Sequence, residues 1–203
     1  MMSGGPAPSL TRSAPVGAEL KLIIAGVGGQ GVVFATKVLS QVGLARGAGV
    51  LASENHGMSQ RGGSVLSHLR IGGSDAPLIR RGAADALVGL DRSEAIRNLT
   101  FLRRGGAVFV NSADGLDESL QSRLRELDVR VNAVDAGRCA AELGSMTVVN
   151  LVVLGFAAAH PAFGVTVEEL GAAVRALGPA AAVDRNLRAL AAGAGLRQGG
   201  RSS

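Results

Sequence analysis

The chain has 203 residues, of which 47% are apolar and 18% charged, and its net charge is +5. That length allows one large domain or two small ones, with ample material for a core and too little charge for a self-repelling disordered chain. The positive balance sits on scattered arginines and aromatics make up 2% of the chain, so it has neither the continuous basic stripe nor the stacking platforms of a nucleic-acid binder.

The single cysteine, Cys139, cannot form an internal disulfide or by itself hold an iron–sulfur cluster or a zinc ion. The reducing cytoplasm is therefore the expected compartment. Residues 1–18 are small, polar and proline-containing, without the apolar run of a signal peptide. The most apolar later stretch, Val148 to Ala159, is too short to span a bilayer and reads as a buried helix. Residues 1–18 and 196–203 read as flexible tails around one domain over 19–195.

In chain order, Leu20 to Ala25 is a short apolar run ending at glycine, which predicts a buried parallel strand. Gly26 to Gly31 is a turn, and Val32 to Ala45 has helical spacing that ends near Gly47 and Gly49. Val50 to Ser53 predicts a second strand, completing a right-handed βαβ unit. Glu54 to Gly63 is a polar glycine-rich loop. Ser64 to Ile71 then alternates, with Leu66, His68 and Arg70 on the wetter face. Further strands are expected at Ala84–Leu90, Gly106–Val110 and Val129–Val134. Helices are expected from Asp91 to about Leu102, at Leu116–Leu127, Ala136–Leu143, Thr147–Ala159 and Thr166–Leu177, and near Val183–Ala192. This alternation predicts a single-domain, three-layer, Rossmann-like α/β fold with a mostly parallel sheet and flanking helices. Ligands of such sheets bind beyond the carboxyl ends of the strands.

Gly26-Val27-Gly28-Gly29-Gln30-Gly31 carries the spacing G-x-G-x-x-G between a predicted strand and a predicted helix. Glycine allows the tight turn and lets backbone approach a phosphate. Free amides at the helix start, aided by the helix dipole, then receive the anion. The alternative is a glycine turn that merely packs strand against helix. Glu54 lies later than the usual ribose-binding acid, which argues for a phosphate-bearing ligand but against NAD.

The second segment, Glu54-Asn55-His56-Gly57-Met58-Ser59-Gln60-Arg61-Gly62-Gly63, is dense in donors and acceptors. Arg61 suits a bidentate clamp on phosphate or carboxylate, His56 an anion contact or proton carrier, and Gln60 and Asn55 neutral hydrogen bonds. A polar surface loop with Arg and Glu paired to each other fits the same residues.

The two segments together, with Ala84-Asp85-Ala86-Leu87-Val88-Gly89-Leu90, Glu94-Ala95-Ile96-Arg97, Val149-Asn150-Leu151-Val152-Val153-Leu154-Gly155 and Asn186-Leu187-Arg188-Ala189-Leu190, resemble the gamma-type domain of 2-oxoacid:ferredoxin oxidoreductases, most of all its indolepyruvate-type members. The likeness spans roughly Leu20 to Gly195. It departs from the family at Leu190, where an aromatic is common, and in Ser112 to Leu120, which lacks Pro and Tyr.

The resemblance implies a subunit supporting CoA-dependent oxidative decarboxylation of a 2-oxoacid to an acyl-CoA, with electrons passed to ferredoxin. It implies an alpha-type partner subunit carrying thiamine diphosphate and iron–sulfur clusters, and no catalytic residue on this chain. The candidate CoA-binding residues are Gly26, Gly28, Gly29, Gln30 and Gly31, with Glu54, His56, Gly57, Gln60, Arg61, Gly62 and Gly63. A free-standing nucleotide-dependent oxidoreductase and a non-catalytic assembly subunit are the alternatives. Elsewhere, Asp91 is expected as a helix cap, Asp85 as a turn or capping residue, and His68 as structural. His160 is read as a helix C-terminal residue favoured by the dipole, Cys139 as a small buried apolar residue, and Asn150 as a buried amide holding a loop or subunit contact.

Overall fold

The computed structural model describes residues 19–57, 62–73 and 75–199. Its strands are β1 (Leu20–Val27), β2 (Val50–His56), β3 (Ser64–Ile71), β4 (Ala84–Gly89), β5 (Leu102–Asn111) and β6 (Arg130–Val134). Its helices are α1 (Val32–Ala45), α2 (Arg92–Asn98), α3 (Glu118–Glu126), α4 (Ala136–Glu142), α5 (Val149–Ala158), α6 (Val167–Leu177) and α7 (Ala180–Gly199). The expected tail from residue 196 is corrected, because α7 continues through Gly199. Residues 1–18 and 200–203 lie outside the described residues.

One sheet runs in the order β2-β3-β1-β4-β5-β6. β1, β4, β5 and β6 are parallel, while β3 is antiparallel to both β1 and β2. The expected pairing of β2 with β1 therefore does not form: β3 lies between them. Leu22, Ile23, Ile24 and Ala25 are fully buried, because β1 sits mid-sheet with helices on both faces. Leu22 and Ile24 join a core with α1, α5, α6 and α7, and Ile23 and Ala25 a smaller one with α2 and α3. The result is three layers, helix–sheet–helix.

His68 corrects the expected wetter face. It is 3% exposed, accepts a hydrogen bond from the Ile79 amide at 3.2 Å and meets Phe101 edge-on. Burial holds its pKa below the usual histidine value. His160 touches the end of α5 through Nδ1 and the Phe156 carbonyl, 2.8 Å apart, but burial lowers its pKa too. The cationic form that the dipole reading favoured is opposed by desolvation. Asp85 ties β1 to β5, accepting from the Lys21 amide and from Arg103 Nε at 2.8 and 2.7 Å.

α6 opens with a capping box between Thr166 and Glu169. The Glu169 carboxylate also accepts from Arg46 Nε and Nη2, just past α1, at 2.8 and 2.7 Å. This bidentate pair draws the Glu169 pKa down from the usual range. Its stabilisation is therefore fully present above the unfolded-state pKa and is lost as pH falls through the folded-state value. The pair is about one-third exposed, so Arg46→Ala is expected to cost about 1 kcal/mol or less at neutral pH. The gap from wild type should narrow as the pH is taken from neutral down through the lowered Glu169 pKa, below the usual carboxylate range. Urea unfolding above and below that pKa checks this; a gap that persists in acid would show that the arginine acts through packing.

Candidate functional site

The G-x-G-x-x-G turn caps the carboxyl end of β1, where parallel-sheet ligands bind. Its glycines do different work. Gly26 is buried, and a Cβ there would stand 2.8 Å from Gln30 Oε1 and 3.0 Å from Val32. That position serves close packing. Gly29 and Gly31 have φ of 94° and 82°, which bends the chain into the helix at a conformation side chains disfavour. Gly28 and Gly29 are exposed.

Gln30 folds inward. Its Oε1 accepts from the Val27 amide at 2.9 Å while its own amide donates to the Val27 carbonyl at 3.1 Å. Its side chain thus closes the turn. Asn150 supports the other side, as expected of a buried loop-holding amide. Its Nδ2 donates to the Gly31 carbonyl at 3.2 Å, and its Oδ1 accepts from the Leu151 amide. With the loop clamped, the amides of Gly29, Gly31, Val32 and Val33 have no acceptor among the described residues. The start of α1, a helix of 14 residues with no side-chain cap, is left as a set of unpaired donors beside the exposed Gly28 and Gly29.

The second segment arrives beside the first. The Gly28 amide donates to the Gly63 carbonyl at 2.9 Å, and the Gly57 amide to the Ser64 carbonyl at 2.7 Å. Gly62 and Gly63 thus border the glycine turn, and Gly57 pairs with Ser64 next to them. Gln60 and Arg61 lie outside the described residues.

Glu54 and His56 correct the loop expectation, since both belong to β2, opposite Ser67 and Val65 of β3. With β3 intervening, Glu54 stands two strand spacings, about 9–10 Å, from β1, one spacing further than an acid on a neighbouring strand that would meet a ribose. The dinucleotide geometry is not built.

Two residues to which the sequence assigned no site role organise the same edge. Asn111 donates to the Leu90 carbonyl at 3.2 Å and accepts from the Ala136 amide at 3.0 Å, joining the ends of β4 and β5 to α4. Glu94 is nearly buried and accepts from Ser64 Oγ at 2.6 Å. An Asn closing a strand and a Glu three residues after a capping Asp91 were the available signals. Asp91 does cap α2, accepting from the Ser93 and Glu94 amides.

The donor set does not suit a metal cluster. No group of three or more His, Cys, Asp or Glu able to hold a metal ion occurs among the described residues. Cys139 is buried, and its thiol is pushed up by that burial and by nearby Glu142 and Asp135, so it stays protonated. No helix among the described residues is long and apolar enough to cross a membrane.

A three-layer α/β domain with a glycine turn at the carboxyl edge of its sheet defines the class. The model of the pyruvate ferredoxin/flavodoxin oxidoreductase family matches residues 21–196, and the chain belongs to that family. It is 33% identical over 198 residues to indolepyruvate oxidoreductase subunit IorB of Archaeoglobus fulgidus, covering 91% of this chain and 98% of that one. The corresponding subunit of Thermococcus kodakarensis is 31% identical, over 86% of this chain and 94% of that one. More distantly, 2-oxoglutarate synthase subunit KorC of Methanothermobacter thermautotrophicus is 29% identical, over 84% and 90%.

Among solved structures, the gamma subunit of a keto/oxoacid ferredoxin oxidoreductase from Geobacter sulfurreducens superposes with a TM-score of 0.67 at 24% identity, over 89% of this chain and 99% of that one. A 2-oxoglutarate:ferredoxin oxidoreductase from Magnetococcus marinus, solved with 2-oxoglutarate, coenzyme A and succinyl-CoA bound, gives 0.70 at 18% identity, over 91% of this chain and 32% of that one. These likenesses establish the fold. The relatives are subunits of 2-oxoacid oxidoreductases, and the Archaeoglobus and Thermococcus subunits are of the indolepyruvate type.

Proposed function

We propose that this chain is the CoA-binding, cofactor-free subunit of an indolepyruvate-type 2-oxoacid:ferredoxin oxidoreductase. The observation that carries the reading is the meeting of the two glycine segments at the carboxyl edge of β1, with amides at the start of a 14-residue helix that have no acceptor among the described residues. Those amides suit a phosphate group. Gly28, Gly29 and Gly31 bring backbone to the ligand, Gly26 and Gln30 set the turn, and Gly57, Gly62 and Gly63 form its neighbour. Gln60 and Arg61 enter on their chemistry alone, Arg61 as a bidentate phosphate partner. Glu54 and His56 line the approach along β2.

The reaction oxidises a 2-oxoacid in the presence of CoA to CO2 and an acyl-CoA, and two electrons pass to ferredoxin. Thiamine diphosphate supplies carbanion stabilisation and iron–sulfur clusters carry the electrons, both on an alpha-type partner. This chain's share is to hold the CoA phosphates and thereby orient the thiol. The displaced Glu54 weighs against the free-standing nucleotide-dependent oxidoreductase.

The purified chain is expected to show no turnover alone, and 2-oxoacid- and CoA-dependent ferredoxin reduction when mixed with its thiamine- and cluster-bearing partner. Turnover by the chain alone, or saturable NAD(P)H fluorescence without a partner, would overturn the assignment. Calorimetry that shows no CoA heat even in the complex would leave an assembly subunit.

A further inference from the structure

The buried carboxylate of Glu94 takes no part in the proposed CoA contacts. It occupies the third position of α2, where an acid after a capping Asp91 commonly turns back to the cap. Instead its side chain, 3% exposed, reaches outward to two partners. Oε2 accepts from Ser64 Oγ at 2.6 Å, and Oε1 pairs with Arg97, itself largely exposed. A buried carboxylate is costly unless its oxygens are satisfied, so the arrangement fixes Ser64 firmly.

Ser64 is the first residue of β3 and lies opposite Val27, the last of β1. Its carbonyl receives the Gly57 amide, and the residue before it, Gly63, receives the Gly28 amide. A continuous set of hydrogen bonds therefore runs from α2 through Glu94 and Ser64 to the glycine turn. The neighbouring parallel strands β1 and β4 deliver the turn and α2 to the same edge of the sheet.

We infer that Glu94 is a positioning residue. It holds the start of β3 against the glycine turn through Ser64, and so sets the spacing at which the turn's amides meet an anionic ligand. The contact rests on geometry alone; its expression as CoA affinity rests on the proposed CoA-binding function.

The test uses the full chain in complex with its partner and compares Glu94→Ala, Glu94→Gln and Ser64→Ala. A Gln carbonyl oxygen still accepts from Ser64, whereas the other two variants remove the bond. Glu94→Ala and Ser64→Ala are expected to raise the KM for CoA about tenfold with kcat little changed. They should also speed amide exchange in peptides spanning residues 24–31 and 62–66, but not in those of β4 and β5. Glu94→Gln is expected to restore both readouts.

Unchanged exchange at the glycine turn in Glu94→Ala and Ser64→Ala would overturn the positioning role. So would an equal loss in Glu94→Gln, which would mark a charge effect. Faster exchange with an unchanged KM would sustain the contact while removing its link to CoA, and so would separate the two failures. Should Glu94→Ala not fold, Ser64→Ala, which deletes one hydroxyl, carries the same comparison.

Discussion

Replacing Gly193 with alanine is expected to destabilise the domain by about 3 kcal/mol or more, although alanine is ordinarily the better helix former. The sign reverses because α5 and α7 cross with their backbones in contact. A Cβ at Gly193 would lie 2.0 Å from the Val152 carbonyl oxygen and 3.0 Å from the Phe156 nitrogen. On the facing helix, a Cβ at Gly155 would lie 2.1 Å from the Leu190 carbonyl oxygen. Both obstacles are backbone, so no rotamer change relieves them and the helices must move apart. The buried Val152, Ala189 and Leu190 would then lose contacts.

Gly155→Ala should cost a similar amount, and the double variant less than the sum, since one separation accommodates both methyl groups. Gly195→Ala provides the control: that position is exposed on α7 with nothing within 4 Å of a Cβ, and should gain about 0.5–1 kcal/mol. Denaturant unfolding distinguishes these outcomes. A Gly193→Ala protein as stable as wild type would mean that the crossing has room for a methyl group. Leu190 stands at this crossing, fully buried, so its side chain serves helix packing.

The elements themselves could be read from the chain because their causes are local. Ile23 and Ile24 in an uninterrupted apolar run mark a strand buried on both faces, and the glycines after it mark a turn into a helix. Strand order was less accessible, because pairing is decided between distant segments. Val50 to Ser53 was expected beside β1, yet β3 takes that place. A clue was present: Ser64 to Ile71 alternates, whereas β1 and β4 are nearly continuous apolar runs, and alternation is commoner in antiparallel pairs. The misplacement carried Glu54 and His56 from a loop into β2. Of the site, the glycine turn and Asn150 were recognisable because buried amides and clustered glycines demand reasons. Glu94 was not, because an acid three residues after a capping Asp91 fits a helix start equally well, and its contact with Ser64 spans thirty residues of chain.

Gly28→Ala is the variant that separates the ligand role of the turn from its packing role, and it is expected to raise the KM for CoA about tenfold to a hundredfold while leaving stability within about 0.5 kcal/mol. The fold has room for this methyl group. A Cβ at Gly28 would meet the Gly62 nitrogen and Gly63 oxygen at 3.7 Å, an ordinary contact, and Gly28 lacks the positive φ of its neighbours. The methyl would stand against Gly62 and Gly63 at the exposed turn, where it is expected to obstruct a phosphate approaching the amides of Gly29 and Gly31.

Gly31→Ala should behave differently. Its backbone has φ of 82°, and its Cβ would fall 2.2 Å from Asn150 Nδ2, so the clamp on the Gly31 carbonyl would be disturbed. Loss of about 1–2 kcal/mol of stability is expected together with weakened CoA binding. Arg61→Ala should match Gly28→Ala in KM if its guanidinium shares the phosphate. Steady-state CoA titrations of the reconstituted complex, run beside thermal melts of each variant, give the comparison. Wild-type KM in both Gly28→Ala and Arg61→Ala would remove the phosphate from this turn, because neither substitution gives the ligand any other reason to bind unchanged.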